Sequence, residues 1–203
     1  MLKNINKKLV VPAIISFGIY LFSYYLPKFI VDINDAHYLM FDIDSRIKVF
    51  SPFVIIYILA YLQWITTLIR ICKQETKFGY YALTALVVSS LIGMIIFIVY
   101  PTAITRDELI INNIFDYLLN IIYNSDSLIN AMPSFHCMWS WYSFRILKQT
   151  KKENKYSDFI NLIFSLLVFA STQFTKQHYI IDIPTGILLA EIGIFISKKI
   201  YHR

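Results

Sequence analysis

Six apolar stretches, at about 9–30, 51–71, 80–100, 135–149, 159–175 and 179–200, occupy most of this 203-residue chain. A membrane-spanning helix needs ~20 residues at 1.5 Å rise each, and ~17 are tolerated. The fourth and fifth stretches are marginal by that measure. A short helix ending at a polar pocket is acceptable where neighbours bury its end. The expectation is therefore an all-α, integral membrane bundle of six transmembrane helices forming one domain over 1–203. Composition agrees: 57% of residues are hydrophobic and 16% charged, against about a quarter charged in soluble domains.

A net charge of +6 raises the possibility of nucleic acid, but the basic residues fall between apolar runs instead of along one face. That pattern reads as membrane topology and argues against a nucleic-acid partner. Grouping alternate connections leaves only Lys28, Arg46, Lys48, Arg106 and Lys176 on one side. The other side receives Lys3, Lys7, Lys8, Arg70, Lys73, Lys77 and the basic residues of 145–155 and 198–203. The positive-inside rule makes the second side cytoplasmic, with both termini. Lys3, Lys7 and Lys8 before an apolar run resemble a signal peptide, but the run continues to Ile30, so it reads as an uncleaved first span. Cys72 and Cys137 fall on opposite sides and read as small apolar residues.

Two outer connections carry pattern. Residues 31–50 form an acidic loop with His37, read as solvated, with a metal site as the sharper alternative. In 107–124, Asn113, Asp116, Asn120 and Asn124 lie opposite Ile110, Ile111, Ile114, Leu118 and Ile121 at helical spacing. This predicts an interfacial helix between spans three and four, roofing the mouth of a pocket.

Two of the four histidines stand at the outer edges of apolar runs. His178 and Asp182 are four apart, so a carboxylate can hold one ring nitrogen and leave the other directed outward. That suits a histidine nucleophile, and equally a buried hydrogen bond. Pro184 places the start of the last helix near Asp182, with His178 in the turn before it. His136 follows Pro133-Ser134; Ser134 can cap a helix whose N-terminal amides favour an anion. A protonated His136 there could supply a proton to a leaving oxygen; the plainer reading is an interfacial histidine. Arg106 ends the run Tyr100 to Thr105 and offers a fork for two phosphate oxygens, or else snorkels at the interface. Lys176 has the same two readings. Glu191, nine residues past Asp182, points to the opposite face and reads as a protonated, hydrogen-bonded packing residue.

These stretches resemble the type 2 phosphatidic acid phosphatase superfamily of membrane lipid phosphatases and phosphotransferases. The residues that carry the resemblance are Pro101 through Arg106, Pro133-Ser134-Phe135-His136, and His178-Tyr179-Ile180-Ile181-Asp182, within a core of about 40–195. The chain departs from the pattern at Val99 and Asp107, at Phe135 in place of glycine, and at Ser171-Thr172 in place of Ser-Arg. The bulky Phe135 and lean cation set are closest in style to the inositol phosphorylceramide synthase-like branch. The resemblance implies that His178 attacks phosphorus, Asp182 orients it, and His136 protonates the departing lipid oxygen. Arg106, Ser134 and Lys176 would bind phosphate oxygens, with no metal and no cofactor. It implies a lipid phosphate phosphatase at the extracytoplasmic face of a multi-pass membrane protein, expected in a bacterial plasma membrane. The alternatives are head-group transfer to a lipid alcohol and a non-catalytic membrane scaffold.

Overall fold

The computed structural model describes residues 5–106, 108–150 and 155–202; Lys3, Asp107, Lys151, Lys152 and Arg203 lie outside the described residues. The helices are α1 (Lys7–Tyr25), α2 (Pro27–Ile30), α3 (Asp42–Arg46), α4 (Val54–Ile71), α5 (Thr76–Val99), α6 (Ile114–Ser125), α7 (Phe135–Leu147), α8 (Lys155–Phe174) and α9 (Asp182–Ile200). Helix starts follow local chemistry. Asn6 caps α1 by accepting from Lys8 N, Ser134 caps α7, and Pro27 and Pro184 sit in first turns, where a missing N–H costs nothing. The described residues hold no strand, only isolated bridges at His37–Thr102 and Ala103–Ile129.

Four helical stretches are long and apolar enough to cross a membrane: Lys7–Ile30, Ser51–Ile71, Thr76–Val99 and Lys155–Phe174. By length and composition, then, the described residues supply four spans where six were expected. The 13 residues of α7 rise only about 20 Å, and α9 carries Asp182, Glu191, Lys198 and Lys199. Helix α7 can be short because it is wrapped by protein. It packs on α4, α8 and α9, and most of its side chains are buried. Helix α5 is the other central element, between α1 and α9.

Hydrogen bonds define two ends of the bundle. At one end Asn6 donates to Gln74 O (3.3 Å) and Thr76 Oγ1 (3.0 Å), and Tyr81 donates to Gln149 (3.1 Å). At the other, Asn130 donates to Tyr24 O (2.7 Å), Phe50 N to Phe174 O (2.9 Å), and Lys28 pairs with Asp126 (2.7 Å). At that second end the extended segment 101–104 runs between His37 and residues 128–131: His37 N donates to Pro101 O (2.9 Å) and Ile104 N to Leu128 O (3.0 Å).

Where the helices pass closely, small residues and side-chain hydrogen bonds join them, as expected where hydrocarbon provides no hydrophobic drive. Ser197 donates to Tyr81 O (2.6 Å) and Tyr142 to Ala82 O (2.7 Å). The tightest approach relevant to function is at Gly186, in the second turn of α9. A Cβ there would stand 2.5 Å from Ser134 O and 3.1 Å from Met138 N. Glycine is thus what allows α9 to press its first turns against the start of α7.

Three expectations need correction. Helix α6 starts at Ile114, not near 107, because Asn113 accepts from Phe115 N (2.8 Å) and Asp116 N (3.1 Å) and so closes the helix there. The acidic loop is not uniformly solvated: Asp44 is buried, accepting from Phe41 N and Ile180 N (both 2.8 Å). Glu191 does face away from the histidines and is hydrogen-bonded, accepting from Trp141 (2.7 Å), but its packing partner is the Arg145 guanidinium (2.7 Å), a salt bridge the sequence did not suggest.

Two outcomes follow from this packing. Gly186→Ala should cost about 1–3 kcal/mol, because backbone must shift to admit the methyl. A melt in detergent should show this against Leu188→Ala at an exposed position. Burial alone would raise the Asp126 carboxyl, but Lys28 and the Tyr24 hydroxyl (2.7 Å) outweigh it and hold it below the ordinary value of about 3.9. A depressed carboxyl stabilises the fold above its unfolded value, and that contribution is lost as pH falls through the folded one. The Lys28–Asp126 clasp should therefore weaken below about pH 4, and Lys28→Met should move the acid midpoint upward.

Candidate active site

The turn between α8 and α9 presents His178. The α8 terminus holds the turn from below: Thr172 O accepts from Gln177 N (3.0 Å) and His178 N (3.2 Å), and Gln173 donates to Tyr179 O (3.3 Å). From the α3 side, Lys176 Nζ donates to Asp44 O (2.6 Å) while Asp44 Oδ1 accepts from Ile180 N. Lys176 itself adopts a left-handed conformation, φ 50°. The turn is therefore fixed from both sides before any substrate is considered.

The tautomer of His178 follows from its partners. Nδ1 lies 2.9 Å from Ala131 O and 3.1 Å from Asp182 Oδ2. A carbonyl oxygen only accepts, so Nδ1 carries the hydrogen, and in the neutral ring the lone pair is then on Nε2. Asp182 is almost fully buried, and its Oδ2 also accepts from Tyr179 N (2.9 Å). The His-Asp pair does not share a helix face as its spacing suggests. Asp182 is the first residue of α9, and its carboxylate reaches back across the turn to His178.

The second motif meets the third directly. Ser134 N donates to Asp182 O (3.2 Å), and Ser134 Oγ accepts from Cys137 N (3.3 Å) at the start of α7. One residue on, Phe135 turns into the core against Tyr24 and Phe97, in space left by Gly93. His136 turns the other way. Its ring stacks on Tyr57 (centroids 4.0 Å, 24°) and is bounded by Trp64 (4.9 Å) and Tyr61 (5.3 Å), while Nε2 is buried without a protein partner. The rings of His136 and His178 are 6.4 Å apart between centroids, close enough for one phosphate to meet both.

Arg106 reaches the same end of the bundle. Its guanidinium donates to Tyr123 O (3.1 Å), Asp126 O (3.2 Å) and Gln177 Oε1 (2.7 Å), and lies over the Tyr123 ring (4.7 Å). Its tie to the histidine turn is thus Gln177, the neighbour of His178. Val99, at the position of the first-motif lysine, is 76% exposed at the end of α5; Thr172, at that of a third-motif arginine, is buried. Among the described residues no cluster of three His, Cys, Asp or Glu side chains is placed to hold a metal.

His178, Asp182, His136, Ser134 and Arg106 therefore converge, and Lys176 braces the turn from α3. Sequence reasoning missed Gln177, Asp44 and the aromatic enclosure of His136. Only the last had a visible signal: Tyr57, Tyr61 and Trp64 recur at helical spacing on one face of α4.

The family model of the PAP2 superfamily matches residues 33–196, and the three stretches that meet around the histidines all lie within that span. No curated protein and no solved structure matches the chain. With a match over most of its length and an all-helical, strongly apolar fold, the chain belongs to the PAP2 superfamily, the membrane phosphatases and phosphotransferases related to type 2 phosphatidic acid phosphatase.

Proposed function

We propose that the protein is a lipid phosphate phosphatase that works through a phosphohistidine on His178. The observation that carries this reading is the His178 environment. Two acceptors on Nδ1 fix the ring and, in its neutral form, put the lone pair on Nε2 beside a second histidine. Nε2 attacks phosphorus as the bond to the lipid oxygen breaks, and His136 gives that oxygen a proton. Asp182 stabilises the positive charge that the His178 ring acquires. His136 then takes a proton from water, which attacks phosphorus, breaks the P–N bond and releases inorganic phosphate. Donors aimed at the equatorial oxygens supply most of the stabilisation in such transfers. Arg106 and Ser134 fit that role. Lys176 would have to leave the Asp44 carbonyl to join them.

The reading includes six spans, with α7 and α9 as the additional two crossings inside the bundle. Helix α6 would lie in the interface with its exposed Ile114, Tyr117 and Ile121 toward lipid. The bias of Lys and Arg supports placing the histidines on the extracytoplasmic face of a plasma membrane. One observation favours a second reading, transfer of a phospho-head group to a lipid alcohol. Phe135 fills the glycine position of the second motif and is locked into the core.

Phosphate release from a panel of lipid phosphates, with and without diacylglycerol or ceramide, separates the two. Release without acceptor is expected; transfer only when acceptor is added would establish the second reading. His178→Ala should abolish turnover. Asp182→Asn should lower kcat with folding intact, and His136→Ala should lower it about 10²–10⁴-fold, the usual range for a positioned proton donor. Arg106→Lys keeps the charge but loses the fork, and should raise KM as well as lower kcat. Undiminished activity in purified His178→Ala protein would overturn the mechanism. Wild-type protein that is silent on every lipid tried should still bind vanadate, and absence of that binding would favour a scaffold without chemistry.

A further inference from the structure

Apart from its stack on Tyr57, the His136 ring has two further sides. One looks toward His178. The other borders a small cavity between α1 and α4, enclosed by Tyr20, Tyr61 and Trp64 and reaching Phe17. Beyond the Phe17 ring a second cavity of about 280 Å³ continues down the same crevice to Ile5 and Cys72, and its walls are apolar throughout. Phe17 lines both and stands between them, the one side chain at which the two cavities meet.

The crevice exists because α1 packs along α5 and makes no comparable contact with α4. Its lips, Ile14 and Ile65, are 67% and 50% exposed, so it opens sideways, where both helices are apolar enough to lie in hydrocarbon. From Tyr24 to Val10 it follows about fourteen residues of α1, roughly 21 Å at 1.5 Å per residue. A void of this kind inside water would be a liability. Inside a bilayer it is filled by a hydrocarbon chain.

Which chain fills it follows from the proton donor. In the proposed reaction His136 protonates the oxygen that leaves, and that oxygen carries the lipid. The leaving group must therefore lie on the His136 side, and the cavity bordering His136 is not lined by His178. We propose that the α1–α4 crevice is the site for the hydrocarbon chain of the phosphate-bearing substrate, a single long chain threaded past Phe17, with Phe17 setting the depth to which it runs. A two-chain lipid would leave its second chain outside the open lip. This assignment rests on the phosphatase reading for its orientation, and on the crevice itself for its location.

The test uses hexadecyl phosphate carrying a photoactivatable diazirine at the chain end, with the full chain in detergent. Labelling is expected on α1 and α4 around Ala13, Ile14 and Leu68, and should be suppressed by excess unlabelled hexadecyl phosphate. In parallel, hydrolysis of butyl and hexadecyl phosphates is compared in wild type and Leu68→Trp. The variant should lower the hexadecyl-to-butyl ratio of kcat/KM by about tenfold or more, the scale on which an apolar pocket discriminates. If Leu68→Trp does not fold, the wild-type labelling still decides. Label that resists competition marks non-specific partition into the detergent belt and overturns the proposal, as does label on the outer faces of α5 and α9. Competed labelling in the crevice without hydrolysis of any alkyl phosphate would instead sink the phosphatase reading and leave the chain site standing.

Discussion

The contact on which the site depends is between the start of α7 and the first turns of α9. Ser134 N donates to Asp182 O, and Gly186 lacks the Cβ that would strike Ser134 O. Everything catalytic is measured from that junction. Asp182 is the first residue of α9, so its carboxylate reaches back to His178; His136 is the second residue of α7, so its ring stands beside the same junction. A helix pair held apart by a methyl group would still form, but the two histidines would lose their spacing. Positioning to well under an ångström is what such chemistry requires.

The polar groups around the junction are affordable because nearly all are paired within the protein. Gln177 ties Arg106 to the histidine turn, Asp44 and Lys176 tie the turn to α3, and Lys28 closes the roof on Asp126. In an apolar surround each unpaired partner would carry its full desolvation cost, so the network is self-reinforcing. The exceptions are informative. His136 Nε2, Asp182 Oδ1, Arg106 Nε and Gln177 Nε2 are buried without protein partners; His136 and Arg106 are the two expected to meet substrate, while Asp182 is bonded to His178 and Gln177 to Arg106.

Much of this was legible in the sequence, for definite reasons. Apolar length and the spread of Lys and Arg fixed an all-helical membrane protein. His178, Asp182, His136 and Arg106 stood out because ionisable residues beside apolar runs are costly and gather into one pocket. Pro184 correctly set the beginning of α9 at Asp182. Other features were not legible because they depend on contacts across the chain. That a helix of only 13 residues, α7, is wrapped by α4, α8 and α9 cannot be read from its own sequence. Asp44 belongs to the site region through Ile180, far along the sequence, and nothing in an acidic loop distinguishes it from its neighbours. Glu191 was placed on the correct face by its angle, but Arg145, which makes it an ion pair, lies on another helix.

The central claim is that His178 Nε2 becomes bonded to phosphorus during turnover. The most direct measurement is rapid quenching under alkaline conditions, which preserve phosphohistidine, followed by peptide mapping of the phosphate. A substrate that the wild type turns over should place phosphate on the peptide containing His178, with the label discharged by water and absent in His178→Ala. Steady turnover with no phosphorylated histidine at any quench time, or phosphate found on His136 instead, would contradict the account.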